Sequence, residues 1–201
     1  MTLRTARHLF ALPLIAIAVP APAQRLSEGY EFLKAVREAN GAKVQEFVDK
    51  PGSQIINTRD PGTGETALHI VAKRGDATYV RYLVARGAGI NSQDGRGNTP
   101  LLLAASGNFT DVVDQLTKLR ANVNLGNQSG ETPLIRAVQL RNLELVRLLL
   151  AAGANPDQRD VVAGLSARDY ANQDARSPAI TKLINDAPKT APRAVAGPKL
   201  R

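Results

Sequence analysis

Three segments of this chain repeat one another at a fixed interval: Gly64-Glu65-Thr66-Ala67-Leu68-His69, Gly97-Asn98-Thr99-Pro100-Leu101-Leu102 and Gly130-Glu131-Thr132-Pro133-Leu134-Ile135. Their threonines stand at 66, 99 and 132, a period of 33 residues. A period of this length holds one turn and two short helices, and so small a helix pair cannot bury its own apolar stripe. Neighbouring pairs must cover one another. A chain built this way is an all-α solenoid of stacked helix-turn-helix units, with turns projecting from one edge.

The unit from Gly97 to Asn124 shows how the parts are made. Gly97 suits a turn that needs a positive φ. Thr99 can cap the following helix, and Pro100 takes the first helical position, where its missing N–H costs nothing. Leu101, Leu103, Ala104 and Ala105 then supply a short first helix whose mostly small side chains permit close approach. The second helix carries Val112, Val113, Leu116 and Leu119 at helical spacing, so one stripe is apolar. The layout returns in Thr66–Asn91, with Val80, Leu83 and Val84, and in Thr132–Asn155, with Leu143, Leu145, Val146, Leu149 and Leu150.

In these residues the chain resembles the ankyrin-repeat family, whose units read Gly-x-Thr-Pro-Leu-His-x-Ala-Ala, a glycine-centred turn, then Val-x-x-Leu-Leu-x-x-Gly-Ala-x-x-Asn. Glu65–Asp94, Asn98–Asn127 and Glu131–Asp160 carry the pattern almost throughout. Phe32–Asp60 keeps the second-helix residues Val44, Phe47 and Val48 and the closing Ile56-Asn57 without the Thr-Pro-Leu start, as an initial cap would. Leu165–Ile184 keeps Ser166-Ala167-Arg168-Asp169-Tyr170-Ala171, then Ile180, Leu183 and Ile184, as a final cap would. The resemblance implies an ankyrin-repeat domain over 27–186, in units of approximately 27–60, 61–94, 95–127, 128–160 and 161–186.

The departures from the pattern are specific. The inter-helix glycine is Gly75 in the second unit but Asn108 in the third and Arg141 in the fourth, and the glycine of the terminal Gly-Ala pair is Arg120 in the third. Asparagine tolerates the left-handed conformation and arginine does so poorly. These turns are therefore expected to be strained, or built differently. An extra residue before Ser166 lengthens the loop Asp160–Gly164, and Pro51-Gly52-Ser53 and Pro61-Gly62 lengthen the loops around the first unit. Insertions in solenoids collect on one face, often the binding face.

The two ends read differently from the repeats. Arg4, Arg7 and His8 precede an apolar run from Leu9 to Val19 and then Ala21-Pro22-Ala23, the order of a secretory signal peptide over 1–23 with a mature start at Gln24. The run is about half the ~20 residues needed to cross a bilayer. It contains Pro13, and the leader has neither a twin arginine nor a lipid-accepting cysteine. Sec export is expected, giving a soluble periplasmic or secreted monomer with no integral membrane span. The absence of cysteine excludes thiol nucleophiles, iron–sulfur clusters and thiolate zinc sites. The net charge of +8 concentrates at the ends: without Arg4, Arg7 and the tail residues Lys189, Arg193, Lys199 and Arg201, 20 of the 26 basic residues face all 18 acids. A folded basic patch for nucleic acid is not indicated. The tail 187–201, with Pro188, Pro192 and Pro198 and no aromatic, reads as a disordered, solubilising end.

No catalytic constellation emerges. His69 is the single histidine after the leader; the resemblance gives it a bracing role around the threonine turn, and Leu102 and Ile135 replace it in the next units. A Ser-His-Asp triad would need it at its centre, and no Gly-x-Ser-x-Gly turn accompanies it. One histidine without cysteine leaves only carboxylates for a metal, and the pairs Asp111/Asp114 and Asp157/Asp160 read as ordinary exposed acids. Gly126–Gly130 does not follow a strand, so it is not a phosphate cradle. Neither an enzyme, a metal nor a cofactor is expected.

Recognition of another protein remains. The resemblance places partner contacts on the turn tips and the outward positions of the first helices, which line a concave groove. These positions are Arg37 and Glu38 in the first unit, and Thr63, Glu65, Lys73 and Arg74 in the second. The third supplies Gly95, Arg96, Asn98, Ser106 and Gly107, and the fourth Gln128, Ser129, Glu131, Gln139 and Leu140. Arg37, Lys73, Arg74 and Arg96 make one half mildly cationic, which favours an acidic partner surface. On the second helix of the second unit, Tyr82 is expected to be partly core and Tyr79 to face outward. The function expected is a non-catalytic binding module of the bacterial envelope. The alternative is an envelope-associated spacer attached by an uncleaved leader or by the basic tail.

Overall fold

The computed structural model describes residues 22–188, with side chains from residue 28 onward. The leader up to residue 21 and the tail from residue 189 lie outside the described residues. Among the described residues, ten α-helices form five antiparallel pairs. The inner members are α1 (Pro22–Arg37), α3 (Ala67–Arg74), α5 (Pro100–Ser106), α7 (Pro133–Gln139) and α9 (Ala167–Gln173). The outer members are α2 (Gly41–Val48), α4 (Ala77–Ala85), α6 (Thr110–Lys118), α8 (Leu143–Ala151) and α10 (Pro178–Asp186). A 3-10 turn at Ile55–Asn57 follows α2.

After the first helix, none of these elements exceeds nine residues, too few to hold together alone in water. Stacking supplies what length does not. Each inner helix packs against the next along the row from α1 to α9, and α4, α6, α8 and α10 pack likewise outside them. The same register is buried in the three central units: Leu68, Leu101 and Leu134 inside, Val80, Val113 and Val146 with Leu83, Leu116 and Leu149 outside. The row begins at Phe32, whose ring meets Phe47 edge-on at 6.1 Å, and closes on Ile180 and Ile184. Leu102 is buried whereas Leu103 is half-exposed, so the third unit turns Leu103 outward instead of into the stack.

Helix starts follow the threonines. The Thr99 and Thr132 hydroxyls accept from the amides of Leu102 and Ile135 at 3.1 and 3.2 Å, and Ser166 and Asp169 form a reciprocal capping box. At unit ends the side chains of Asn57, Asn91 and Asn124 accept from the amides of Gly89, Asn122 and Asn155 at 2.7–2.8 Å. Each unit is thus tied to its successor.

The inter-helix turns are built alike despite their different residues. Gly75, Asn108 and Arg141 all take positive φ, at 81°, 61° and 57°, as do Gly87, Arg120 and Gly153 at 89°, 66° and 88°. Of the two expected outcomes, strain is the one realised. The structure also explains why only one inter-helix turn keeps its glycine. A Cβ on Gly75 would lie 2.6 Å from the ring of Phe109 in the next unit, where the equivalent of Asp76 has become phenylalanine. Asn108 meets Asn142 instead and accepts a 2.7 Å bond from its amide. Arg141 reaches Asp174 at 2.5 Å. These side chains use the turn for links that glycine could not make.

Candidate functional site

Between consecutive helix pairs the chain runs out into a finger and back. The fingers close on backbone bonds from Asp60 to Glu65, Asp94 to Asn98, Asn127 to Glu131 and Asp160 to Leu165, each amide donating to the later carbonyl at 2.8–3.1 Å. An Asp or Asn side chain shapes every tip. Asp60 accepts from Gly62 and Thr63, Asp94 from Arg96 and Asn98, and Asn127 from Ser129 and Glu131. Asp160 accepts from Val162, Ala163 and Gly164. Local side-chain bonds of this kind hold a turn without a long strand ladder. The tips are also joined to one another: Gly95 donates to the Thr63 carbonyl at 2.9 Å, Gln128 to Arg96 at 3.1 Å and Val161 to Ser129 at 2.9 Å. The result is a continuous rim of four fingers.

The acids that shape the tips are held ionised. The Thr63 amide and the Arg37 guanidinium bring the Asp60 carboxyl down to about 2. At Asp160 burial works upward but is outweighed by the Tyr170 hydroxyl, which donates at 2.6 Å, and by three amides. Asp94 is lowered in the same way, burial being outweighed by the side chain and amide of Asn98.

Below the rim, the outward positions of the inner helices form the floor. Ile70, Leu103, Arg136 and Tyr170 are equivalent and half-buried. One step toward the helix ends lie Lys73, Ser106, Gln139 and Gln173. Most charge on this surface is spoken for. Arg37 pairs with Asp60, Lys73 with Glu65 at 2.8 Å and Arg136 with Glu131 at 3.6 Å, so these three inner-helix cations are each met by an acid from the base of a finger. The third unit has no such pair. Its Leu103, Ser106 and Gly107 leave a neutral, low patch in the middle of the groove. At the far end Val138, Gln139, Arg141, Tyr170, Gln173, Asp174 and Arg176 surround an open cleft of about 290 Å³. That is at the lower limit of ligand pockets, about 300 Å³.

The sequence profile described as ankyrin repeats (3 copies) matches residues 32–125 and 80–160 in two overlapping passes, more than half of the chain. The chain belongs to the ankyrin-repeat family. Comparison with curated proteins gives no match. Proteins with ankyrin repeats generally mediate protein–protein interaction and are typically non-catalytic, and the fingers and inner-helix floor are the surfaces that an ankyrin stack presents.

His69 is part of that stack's bracing. It is fully buried, and its Nδ1 accepts from the Thr66 amide at 3.1 Å. That acceptance leaves the proton on Nε2, which lies 3.0 Å from the Asn98 carbonyl of the next ankyrin unit. Burial pushes its pKa below the ordinary value, only partly offset by the Asn98 carbonyl. The neutral ring joins two repeats.

The positions expected from the sequence to meet a partner fall into two groups in the ankyrin groove. Glu38, Thr63, Gly95, Arg96, Gln128, Ser129, Gln139 and Leu140 are exposed on the rim or floor, and Ser106 and Gly107 border the neutral patch. The Arg96 side chain makes no ion pair or hydrogen bond among the described residues. Arg74 has a different place: its guanidinium donates to the Val36 carbonyl at 2.6 Å, pairs with Asp76 at 3.0 Å and lies over the Tyr79 ring. It closes the end of α1. Asn98 is also structural, bonded to Asp94, Asn127 and His69. With Arg37, Lys73 and Glu65 paired as well, the cationic half expected from composition reduces to Arg96. Tyr79 and Tyr82 are both half-buried and pack on each other, centroids 5.6 Å apart.

Two features escaped the sequence reading. Asp157 and Asp160 are not ordinary exposed acids: Asp157 holds Arg168 at 2.7 Å, and Asp160 is buried at the hub of the last finger. On that finger Val161 and Val162 are 73% and 80% exposed, the most exposed large apolar side chains among the described residues. The signal available was the extra residue before Ser166, combined with two valines where the other fingers carry Gly95-Arg96 and Gln128-Ser129.

Proposed function

We propose that this ankyrin-repeat protein is a non-catalytic module of the bacterial envelope that holds a periplasmic protein in its concave groove and on its finger tips. The observation that carries the reading is the rim. Four tips linked by backbone bonds and each shaped by an Asp or Asn side chain form a rigid edge above a floor whose cations Arg37, Lys73 and Arg136 are already paired. A surface so preorganised loses little freedom when it binds. Its neutral centre at Leu103, Ser106 and Gly107 accommodates close approach by a partner's backbone or small side chains. The leader with its Ala-x-Ala end supports export, and no helix among the described residues is long and apolar enough to cross a membrane.

Affinity capture from a periplasmic fraction tests the reading. The chain is compared with a groove variant carrying Ser106→Arg and Gln139→Arg, and with a convex-face variant carrying Arg81→Glu on α4, an exposed position away from the groove. Partners are expected to be lost from the groove variant and kept by the convex one. Retention of every partner by the groove variant would remove the concave face from the account.

A further inference from the structure

The guanidiniums at the far end of the groove are held differently from the others. Arg37, Arg74, Arg86 and Arg136 reach their acids through an η nitrogen, and Arg168 uses all three of its nitrogens. Arg141 and Arg176 donate through Nε alone. Both donate to Asp174, whose Oδ2 takes Arg141 at 2.5 Å and whose Oδ1 takes Arg176 at 3.2 Å. The Arg176 amide adds a bond to Oδ1 at 3.1 Å. Asp174 is thereby fixed, its side chain only 20% exposed, while those of Arg141 and Arg176 are 40% and 75% exposed. A guanidinium carries five N–H donors. The η nitrogens of both arginines make no hydrogen bond among the described residues, and both side chains line the open cleft of about 290 Å³.

What this cleft accepts follows from its charge and its donors. Two guanidiniums against one carboxylate leave a formal +1. The other acids nearby are engaged, Glu131 with Arg136, and Asp160 with the Tyr170 hydroxyl and three amides. A monoanion balances the remaining charge, whereas a phosphate group, at about −1.5 to −2, exceeds it. Planar sets of N–H donors match a carboxylate. A chain terminus is ordinarily captured by backbone amides, but the amides of Arg141, Asp174 and Arg176 already donate to Val138, Tyr170 and Asp174. A side-chain carboxylate has no such requirement.

We propose, building on the groove reading above, that this cleft receives the side-chain carboxylate of an aspartate or glutamate on the protein held in the groove. The η nitrogens of Arg141 and Arg176 donate to it, while Asp174 steadies both guanidiniums through their ε nitrogens. An acidic contact then falls at the opposite end of the groove from Arg37, Lys73 and Arg74, whose charges are already paired.

Zero-length cross-linking reads this contact directly. Arg141→Lys and Arg176→Lys, each in the full chain, set a primary amine in the cleft, and a water-soluble carbodiimide condenses that amine with an adjoining carboxyl group, taking up the water released. Each variant is treated in a periplasmic extract and linked peptides are identified by mass spectrometry. The new amine is expected to be joined to an aspartate or glutamate side chain of a second protein. A link to that protein's C-terminal carboxyl, or to Asp174 and no second protein, would overturn the proposal. The captured protein is then purified for titration calorimetry. Arg141→Gln with Arg176→Gln should weaken its binding about tenfold or more, the loss of a charge-assisted contact. Arg176→Gln alone should weaken it about threefold, which keeps the test decisive if the turn at Arg141 does not tolerate glutamine. Unchanged affinity would overturn the proposal. Ser106→Arg, on α5 and away from the cleft, separates the two readings. A protein lost to Ser106→Arg but bound at full strength by the arginine variants refutes the carboxylate site and leaves the groove standing. One kept by Ser106→Arg counts against the groove itself, and if the unaltered chain holds no periplasmic protein both readings fall.

Discussion

Arg120 offers a measurement of how much backbone strain this stack carries. It stands at φ 66° where the second and fourth units have Gly87 and Gly153 at 89° and 88°. Its amide still donates to Thr117 at 2.9 Å, and its exposed guanidinium has no partner among the described residues, so nothing evident offsets the conformation. An L-residue in this region costs about 1–2 kcal/mol. Glycine removes that cost but adds about 0.4–1 kcal/mol of freedom to the unfolded chain. Arg120→Gly is therefore expected to stabilise by about 1 kcal/mol, a rise in midpoint of about 2–4 °C for a domain of this size.

Thermal and urea unfolding followed by circular dichroism would measure it, with three companions to isolate the cause. Arg120→Ala keeps the Cβ and removes the charge, so it should stay close to the parent. A Cβ on Gly87 or Gly153 meets nothing within 4 Å. Gly87→Ala and Gly153→Ala therefore report the backbone cost alone, and each should destabilise by about 1 kcal/mol or more. If Arg120→Ala stabilised as much as Arg120→Gly, the cause would be charge and not φ. If the two glycine replacements cost nothing, the reasoning about these turns would fail.

The remaining predictions concern the bracing between units. His69→Leu should pack well, since Leu102 and Ile135 fill the equivalent sites, but it strands the Thr66 amide and the Asn98 carbonyl at a cost of about 1–3 kcal/mol. Because the folded His69 binds its proton less readily than the unfolded one, parent stability should fall as pH drops below about 6.5. Urea midpoints at pH 7.5 and 5.5 should differ more for the parent than for His69→Leu, and equal differences would refute the assignment. Gly75→Ala combines a φ of 81° with a 2.6 Å approach to Phe109 and should cost about 2 kcal/mol or more. Arg141→Gly should gain less than Arg120→Gly in the same thermal assay, because it gives up the Asp174 ion pair.

The repeats were legible because each unit states the same thing at several levels: a glycine for the turn, a threonine to cap, a proline at the first helical position and leucines at a shared register. Such agreement between local preference and burial needs no knowledge of neighbours. The groove was legible only as a set of positions. Lys73 and Glu65 are eight residues apart and on different elements, yet they meet because the finger folds back over α3. Arg37 finds Asp60 through the loop that follows α2. A count of basic residues registers four cations there and cannot register that three are neutralised.

The same limit governs the turns. The need for glycine at position 75 is set by Phe109, and the tolerance of asparagine at 108 is set by Asn142, each 34 positions further on in the sequence. In a stack, a residue's environment is written one period away. A pattern compared unit by unit shows that positions 75, 108 and 141 correspond, but their chemistry is decided in the unit that follows, by Phe109, Asn142 and Asp174. Substitutions in one repeat are therefore expected to be read most strongly in the repeat that follows. On this reasoning Phe109→Asn, which restores an amide like that of Asn142, should make Gly75→Asn tolerable where Gly75→Asn alone is not. A double-mutant cycle on thermal midpoints measures that coupling, and additive losses would show that the two positions do not sense each other.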